Sequence, residues 1–192
     1  MKKSRKKCRV SGFLLKIAAR SVAAAGLFAV SAFSTSASAR VSNDTLYREE
    51  IRQAAERHGL DSDLVRALIW HESRFRANAV GRQGEIGLMQ LLPKGAVAEY
   101  ARIHKVPPMS RRELFKVHNN LEVGCWYLGI AMRRWHSHDQ PIERALAHYN
   151  AGERRAKEWC RKPGGWRRDP IPAALRNYVD GIMTRYYGYR RK

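Results

Sequence analysis

The residues best suited to chemistry in this 192-residue chain are a glutamate and a short turn that follows it. Apolar residues recur at helical spacing just before Glu72, namely Leu64, Val65, Leu68 and Ile69. Glu72 therefore lies on an apolar stripe. Partial removal from water favours the protonated form of such a carboxyl, as a general acid acting on a glycosidic oxygen requires. Gly87-Leu88-Met89-Gln90 follows and completes a pattern that indicates glycosidic acid/base chemistry.

A second interpretation of Glu72 stays open at this point. Most glutamates are solvated or paired, and Glu72 can simply end a surface helix beside Arg74. Only the neighbouring motifs can decide between the two interpretations.

The elements that must position these residues are predicted to be helices joined by loops, in a single, mainly α domain. Asp61 can cap a helix from Ser62 to about Ser73. Glycine and asparagine punctuate residues 74–87, which are predicted to form a loop that can hold a small hairpin. The other predicted segments are helices from Asn43 or Asp44 to about His58, Pro93 to about His104, Asn120 to His136, Pro141 to a stop at Gly152 and Ala173 to Tyr187, with a loop from Pro163 to Pro172.

The first 39 residues are predicted to be a signal peptide. Residues 1–20 hold eight Lys or Arg and no acid, residues 21–33 are apolar, and Ala37-Ser38-Ala39 has the small-x-small pattern of a cleavage site. The apolar run is shorter than the ~20 residues of a membrane span. We therefore expect residues 1–39 to direct export to the periplasm or cell envelope and residues 40–192 to form the catalytic domain. The alternative is an uncleaved amphipathic anchor.

The charge of the chain predicts an anionic partner. The formal net charge is +20, and residues 40–192 retain 29 basic and 17 acidic residues, a net charge of +12. Such a surface attracts polyanions. No nucleic-acid-binding motif is present, so cell-wall carboxylates, teichoic acids or lipid head groups are the expected partners, and nucleic acid is not.

Cysteines and histidines give no sign of a metal or cofactor. Cys125 and Cys160 follow the predicted leader, and an exported protein can join them in a disulfide. Cys125 also lies on an apolar helical stripe, so a buried thiol is the equal alternative. The seven histidines have no metal-ligand spacing, and no cofactor is expected.

Three motifs in order resemble the soluble lytic transglycosylase family, whose catalytic domain has a goose-type lysozyme-like fold. The first is Ala67-Leu68-Ile69-Trp70-His71-Glu72-Ser73-Arg74-Phe75, the second runs from Gly84 to Pro93, and the third is Ala145-Leu146-Ala147-His148-Tyr149-Asn150-Ala151-Gly152. Gly124, Tyr127-Leu128 and Arg176-Asn177-Tyr178-Val179 look like further landmarks. The resemblance extends from about Leu46 to Tyr187 and implies a helical domain with a loop-lined glycan groove.

The resemblance implies a function and a mechanism. The family cleaves the β-1,4 bond between N-acetylmuramic acid (MurNAc) and N-acetylglucosamine (GlcNAc) in peptidoglycan without adding water. By similarity, Glu72 protonates the leaving oxygen and then removes the proton of the MurNAc 6-hydroxyl, which gives a 1,6-anhydro end. A second carboxylate is not needed when the nucleophile belongs to the sugar. The partner implied is peptidoglycan. The protein would cleave it during growth or for a secretion or conjugation apparatus. It is expected to be a monomer.

Six other residues are expected to bind substrate on the same resemblance. Ser73 would hold the substrate or Glu72, Met89 would line the groove by apolar contact, and Gln90 would hydrogen-bond the sugar. Tyr149 and Asn150 would form the opposite wall, and Tyr178 would contact Glu72 or the substrate. Met89 and Tyr149 can equally be core residues when each is considered alone.

Glu85 and His148 depart from the family pattern. Glu85 can be a solvated or arginine-paired loop residue, with Arg76 or Arg82 as the partner, or a second carboxylate that permits lysozyme-like hydrolysis. His148 is expected at the groove rim, and His71 is expected to face solvent. A true muramidase and a non-catalytic peptidoglycan-binding module therefore stand as alternatives to the transglycosylase.

Overall fold

A computed structural model describes residues 43–159 and 170–191 of the chain. The helices are α1 (Asn43–Leu46), α2 (Arg48–Arg57), α3 (Ser62–Ser73), a π-helical turn (Pro93–Val97), α4 (Ala98–His104), α5 (Arg111–Leu114), α6 (Val117–Trp135), α7 (Pro141–Ala151), α8 (Glu153–Trp159) and α9 (Ala173–Arg190). The predicted leader, Cys160 and residues 163–169 of the predicted loop lie outside the described residues. The described part contains only isolated β-bridges, which confirms the mainly α class.

Helix α3 carries Glu72 and has the bounds that the sequence predicts. The Asp61 carboxylate caps it by accepting a hydrogen bond of 2.8 Å from the backbone N–H of Asp63. The helix ends at Ser73 because Arg74 takes a left-handed conformation with φ 55°. The apolar stripe of α3 is buried in the core, with Glu72 one turn beyond it.

Two predicted helices are interrupted. The segment predicted to run from Asn43 or Asp44 to His58 is divided at Tyr47 into α1 and α2. The segment from Pro93 to His104 is broken at Gly95, whose φ of −112° and ψ of −115° are not helical. Glycine permits such a conformation at little cost, which periodicity alone does not reveal.

Other boundaries differ by a few residues or were missed. Helix α6 begins at Val117 rather than Asn120, and α9 continues past Tyr187 to Arg190. The short helices α5 and α8 were not predicted. Helix α5 depends on a capping box between Ser110 and Glu113, a local signal too short to give a periodic pattern.

Two helix pairs build the core. Helix α6 packs most extensively against α7, and α3 against α9, while α7 also contacts α9. Tyr186 of α9 donates a hydrogen bond of 2.8 Å to the Asp61 carboxylate at the start of α3, so the two helices are antiparallel. None of the described helices combines the length and apolarity that a membrane crossing requires. Cys125 is a free thiol buried in this core, as one of the two alternatives predicted.

Gly124 of α6 makes room for Met89. The Met89 side chain is fully buried, and a Cβ at position 124 would overlap its sulfur atom. The loop that contains Met89 can therefore approach α6 only because residue 124 lacks a side chain.

Two histidines are less exposed than the sequence suggests. His148 is 2% exposed rather than at a groove rim, and its ring packs edge-on against Tyr127. His71 is half-buried rather than fully exposed, and its ring packs edge-on against Tyr178, with ring centroids 4.7 Å apart. Burial lowers the pKa of both histidines to about 4, and the charges of Arg74 and Arg185 add to the effect at His71.

Gly124→Ala is expected to lower the free energy of unfolding by about 1–3 kcal/mol, because overpacking forces neighbours out of place. Chemical denaturation measures this loss. Gly188→Ala in α9 is the matched control, since a Cβ there meets open space and alanine should stabilise the helix by about 0.5–1 kcal/mol. A Gly124→Ala protein as stable as the unaltered one would contradict the close approach of Met89.

The buried histidines predict a loss of stability in acid. Between pH 6.5, the ordinary histidine pKa, and about pH 4, the unfolded chain binds protons that the native state does not bind. The free energy of unfolding is therefore highest above pH 6.5. It declines as the pH falls, by roughly 3 kcal/mol for each histidine once the pH reaches the lowered pKa. Urea unfolding between pH 7 and 4.5 should show this slope, and His148→Phe should reduce it. An imidazole titration midpoint near 6.5 by NMR would contradict the burial.

Candidate active site

Glu72 faces α9 and is held there by a tyrosine. The Tyr178 hydroxyl donates a hydrogen bond of 2.6 Å to Oε1 of Glu72. Tyr178 is 8% exposed, while Glu72 is half-buried at the end of α3. The packing of α3 against α9 thus fixes one oxygen of the candidate catalytic carboxyl.

The tyrosines around Glu72 are kept in the protonated, donating form. Burial raises the pKa of Tyr178 well above its ordinary value, and the charge of Glu72 raises it further, against an opposing hydrogen bond from Asn150. Burial, followed by the charge of Glu72, also raises the pKa of Tyr149. Glu72 therefore lies within electrostatic reach of both tyrosines, which remain neutral hydroxyl groups.

The chain turns sharply as it leaves the Glu72 helix. Arg74 and Phe75 both have left-handed conformations, with φ 55° and 58°, which cost roughly 1–2 kcal/mol for each non-glycine residue. Burial of the Phe75 ring and a hydrogen bond of 3.0 Å from Arg74 to the carbonyl of Trp70 offset this cost. Strained backbone of this kind is concentrated at functional sites.

Asn120 of α6 holds the Gly-Leu-Met-Gln loop in place. Its side-chain oxygen accepts from the Met89 N–H at 2.8 Å, and its amide nitrogen donates to the carbonyls of Ile86 and Leu114, both at 2.9 Å. Gly87 lies so close that a Cβ there would overlap this amide. Asn120 is not among the site residues predicted from the sequence, although an asparagine four residues before Gly124 on the apolar face of α6 is a usable signal.

The loop and α7 enclose a pocket of about 190 Å³. Gln90, Tyr127, Tyr149 and Asn150 are among the residues that line it. The Tyr149 hydroxyl donates to the Met89 carbonyl at 2.8 Å, and the Gln90 amide donates to the Gly87 carbonyl at 2.9 Å. The first hydrogen bond joins α7 to the loop, and the second holds the Gln90 side chain against the loop backbone. Tyr127 lines the pocket although the sequence indicates it only as a family landmark.

Ser73 and Met89 do not present their side chains to this pocket. The Ser73 hydroxyl is buried and donates to the Ile69 carbonyl of its own helix at 3.2 Å. The Met89 side chain packs in the core against Gly124. The structure thus brings Glu72, Gln90, Tyr149, Asn150 and Tyr178 together, while Ser73 and Met89 contribute through backbone and packing.

Glu85 is not a solvated loop residue. It is 6% exposed, and its Oε2 accepts a hydrogen bond of 2.8 Å from the Gln83 N–H. A Cβ on Gly81 would overlap that oxygen. The carboxylate is therefore turned into its own loop, close to the side chain of Gln90, because Gly81 leaves space for it.

The arrangement is suited to proton transfer at a bound carbohydrate. One half-buried carboxyl, oriented by a neutral tyrosine, lies beside a pocket of amide and aromatic side chains. Within residues 43–159 and 170–191, no three acidic, histidine or cysteine side chains are grouped so that they could hold a metal ion.

Comparisons with known proteins match both the sequence and the fold. The family described as Transglycosylase SLT domain matches residues 49–170. The membrane-bound lytic murein transglycosylase F of Desulfosudis oleivorans is 31% identical over 160 residues, which cover 76% of this chain and 32% of that protein. The membrane-bound lytic murein transglycosylase C of Haemophilus influenzae (strain PittGG) is 34% identical over 90 residues, 46% of this chain and 25% of that protein.

A solved structure extends the match to three dimensions. The lytic transglycosylase Slt of Pseudomonas aeruginosa, crystallised as an inactive glutamate-to-glutamine mutant, superposes with a TM-score of 0.62 at 25% identity. The match covers 76% of this chain and 24% of that one. This chain thus spans about a quarter to a third of the length of the relatives it matches. The family match covers more than half of the chain and includes Glu72, the Gly-Leu-Met-Gln loop and the pocket, so this chain belongs to the Transglycosylase SLT domain family.

Proposed function

We propose that this protein is a peptidoglycan lytic transglycosylase that uses Glu72 as its only acid and base. The observation that carries the proposal is the hydrogen bond of 2.6 Å from Tyr178 to Glu72, beside the Gln90–Tyr149–Asn150 pocket. The names of the relatives, lytic murein transglycosylases, support the same activity. Peptidoglycan glycan strands are the proposed substrate.

In the proposed reaction, protonated Glu72 donates its proton to the glycosidic oxygen between MurNAc and GlcNAc. The bond from that oxygen to C1 of MurNAc breaks, and GlcNAc leaves with a free 4-hydroxyl. The Glu72 carboxylate then takes the proton of the C6 hydroxyl of the same MurNAc while the C6 oxygen bonds to C1. The proton given equals the proton recovered, no water is consumed, and a 1,6-anhydroMurNAc end results.

Tyr178 would orient the carboxyl through both steps. Because burial and the charge of Glu72 raise its pKa well above the ordinary value, it stays a hydrogen-bond donor. A donor fixed on one oxygen limits rotation of the carboxyl and helps to keep it within reach of the glycosidic oxygen.

Hydrolysis by a second carboxylate is not favoured. A base that activates water must reach the anomeric carbon across the groove. Glu85, the carboxylate suggested for that role, is buried and bound to the backbone of its own loop. The matched relatives are named as transglycosylases rather than muramidases.

The proposed place of action is the cell envelope. Residues 1–39 would act as an export signal, and residues 40–192 would form the catalytic domain. The basic charge of this domain, +12, would favour adsorption to anionic wall material. The protein would cut glycan there during growth or for a secretion or conjugation apparatus.

Glu72→Gln is expected to reduce the release of anhydromuropeptides by roughly 10²–10⁴-fold or more, because both proton transfers are lost. Mass spectrometry of the products from purified peptidoglycan measures this release. Glu85→Gln is the control, and it should yield the same anhydro products as the unaltered protein.

Three results would contradict this proposal in different ways. Full activity of Glu72→Gln would remove Glu72 from the reaction. Reducing-end products that disappear in Glu85→Gln would establish hydrolysis. Binding of glycan by the unaltered protein without any product would indicate a non-catalytic module.

Tyr178→Phe is expected to lower kcat by roughly 10–100-fold with little change in KM, since it loosens the carboxyl without removing it. Steady-state release of anhydro products gives both constants. Tyr187→Phe on the same helix is the matched control, because Tyr187 is 49% exposed. Equal kcat values for the two variants would show that the hydrogen bond to Glu72 has no role in turnover.

A further inference from the structure

Two polar side chains beside the pocket have no part in the proton transfers described above. The first is Tyr127 of α6, which lines the pocket and is half-buried. Its ring contacts those of Tyr149 and His148, in each case with ring centroids 5.6 Å apart. Among the described residues, no group forms a hydrogen bond with the Tyr127 hydroxyl. The neighbouring rings therefore position this hydroxyl, but the protein does not satisfy it.

The second side chain is Glu99 of α4, one helical turn after the pocket wall. Ala96 lines the pocket, and Glu99 follows it by three residues across Val97 and Ala98, whose backbone is helical. Residues at this spacing share a face of a helix. Glu99 is half-buried, and within the part of the chain that the structure describes it has neither an ion pair nor a hydrogen-bonding partner. Its carboxylate is thus a second unsatisfied group on the pocket side of α4.

Glu99 and Tyr127 lie within electrostatic reach of each other. Burial raises the pKa of Tyr127 to about 12, and the charges of Glu99 and Glu153 raise it further. Glu153 is already engaged by Arg134 and Lys157, both at 2.6 Å, whereas Glu99 is not. Tyr127 therefore stays a neutral hydroxyl that can donate, and an ionised glutamate can only accept. The pocket thus has a donor and an acceptor that a ligand can satisfy together.

We propose that Glu99 and Tyr127 bind the GlcNAc residue next to the cleaved MurNAc and select it over MurNAc. This inference rests on the proposed function, because it assigns a further part of the same substrate. Glu99 accepts a hydrogen bond from the C3 hydroxyl of GlcNAc, and the Tyr127 hydroxyl donates to the N-acetyl carbonyl. MurNAc cannot make the first of these bonds, because its C3 oxygen is an ether that carries the lactyl group and the peptide stem.

This selection sets the register in which an alternating glycan strand enters the site. The strand contains two kinds of β-1,4 bond, which differ in whether MurNAc or GlcNAc supplies C1. A site that hydrogen-bonds one hydroxyl rejects a sugar that lacks it, because the acceptor is then left unpaired. The charge of Glu99 also repels the carboxylates of the peptide stem on MurNAc. Since Tyr149 of the same pocket lies within electrostatic reach of Glu72, GlcNAc at Glu99 leaves the neighbouring MurNAc for Glu72.

The test compares two tetrasaccharides of GlcNAc whose C3 oxygens are free hydroxyls in one and methyl ethers in the other. Calorimetry measures their binding to the Glu72→Gln protein, which does not consume them. The hydroxyl ligand is expected to bind about tenfold more tightly than the ether. Glu99→Ala, added to Glu72→Gln, should reduce this ratio to less than about twofold. Glu50→Ala is the matched control, because Glu50 is an exposed glutamate of α2 whose removal should leave the ratio unchanged.

Tyr127→Phe, which keeps the ring and its contacts, tests the other hydrogen bond. It should weaken binding of both ligands by roughly fivefold and preserve their ratio, because both carry the N-acetyl carbonyl. Equal affinities of the two ligands for the Glu72→Gln protein, or a ratio that Glu99→Ala leaves unchanged, would overturn the proposal. Unchanged binding by Tyr127→Phe would overturn the part assigned to Tyr127. Failure of the proposed function is a separate result: the unaltered protein would then give no anhydro products from peptidoglycan.

Discussion

The contact between α3 and α9 is the constraint on which the rest of this site depends. At its active-site end Tyr178 donates a hydrogen bond to Glu72 at 2.6 Å, and at its other end Tyr186 donates to the Asp61 cap of α3 at 2.8 Å. These two bonds fix the register of the antiparallel pair. The carboxyl is thereby positioned by the packing of two helices, which suits the role of single acid and base proposed for it.

The Gly-Leu-Met-Gln loop is held in place by hydrogen bonds and by close packing at two glycines. Asn120 satisfies three backbone groups around the loop, and Gly87 and Gly124 allow the chain to come close to α6. The Met89 side chain is buried in the core, and the Met89 carbonyl accepts a hydrogen bond from the Tyr149 hydroxyl. The pocket wall on α7 is thus connected to the loop, and both are connected to the core. Rigid support of this kind fits the proposed binding of a long glycan strand.

Local sequence signals predicted the bounds of the helices better than they predicted the contacts between side chains. The Asp61 cap and the apolar stripe gave the bounds of α3, and Pro141 with Gly152 gave those of α7. Periodicity identifies the buried face of a helix but not the residue that covers it. For that reason the sequence predicted an exposed His71, did not identify Asn120 and did not show whether the side chains of Ser73 and Met89 are buried. The turned-in carboxylate of Glu85 depends on Gly81, a contact that only the folded loop reveals.

The claim that Glu72 recovers its proton from the sugar, and not from water, can be tested by running the reaction in water enriched in oxygen-18. The new MurNAc ends are then analysed by mass spectrometry. The proposed mechanism predicts 1,6-anhydro ends that contain no oxygen-18, because the oxygen that bonds to C1 comes from the C6 hydroxyl of the substrate. Oxygen-18 on C1 of the new ends would contradict it and would establish hydrolysis.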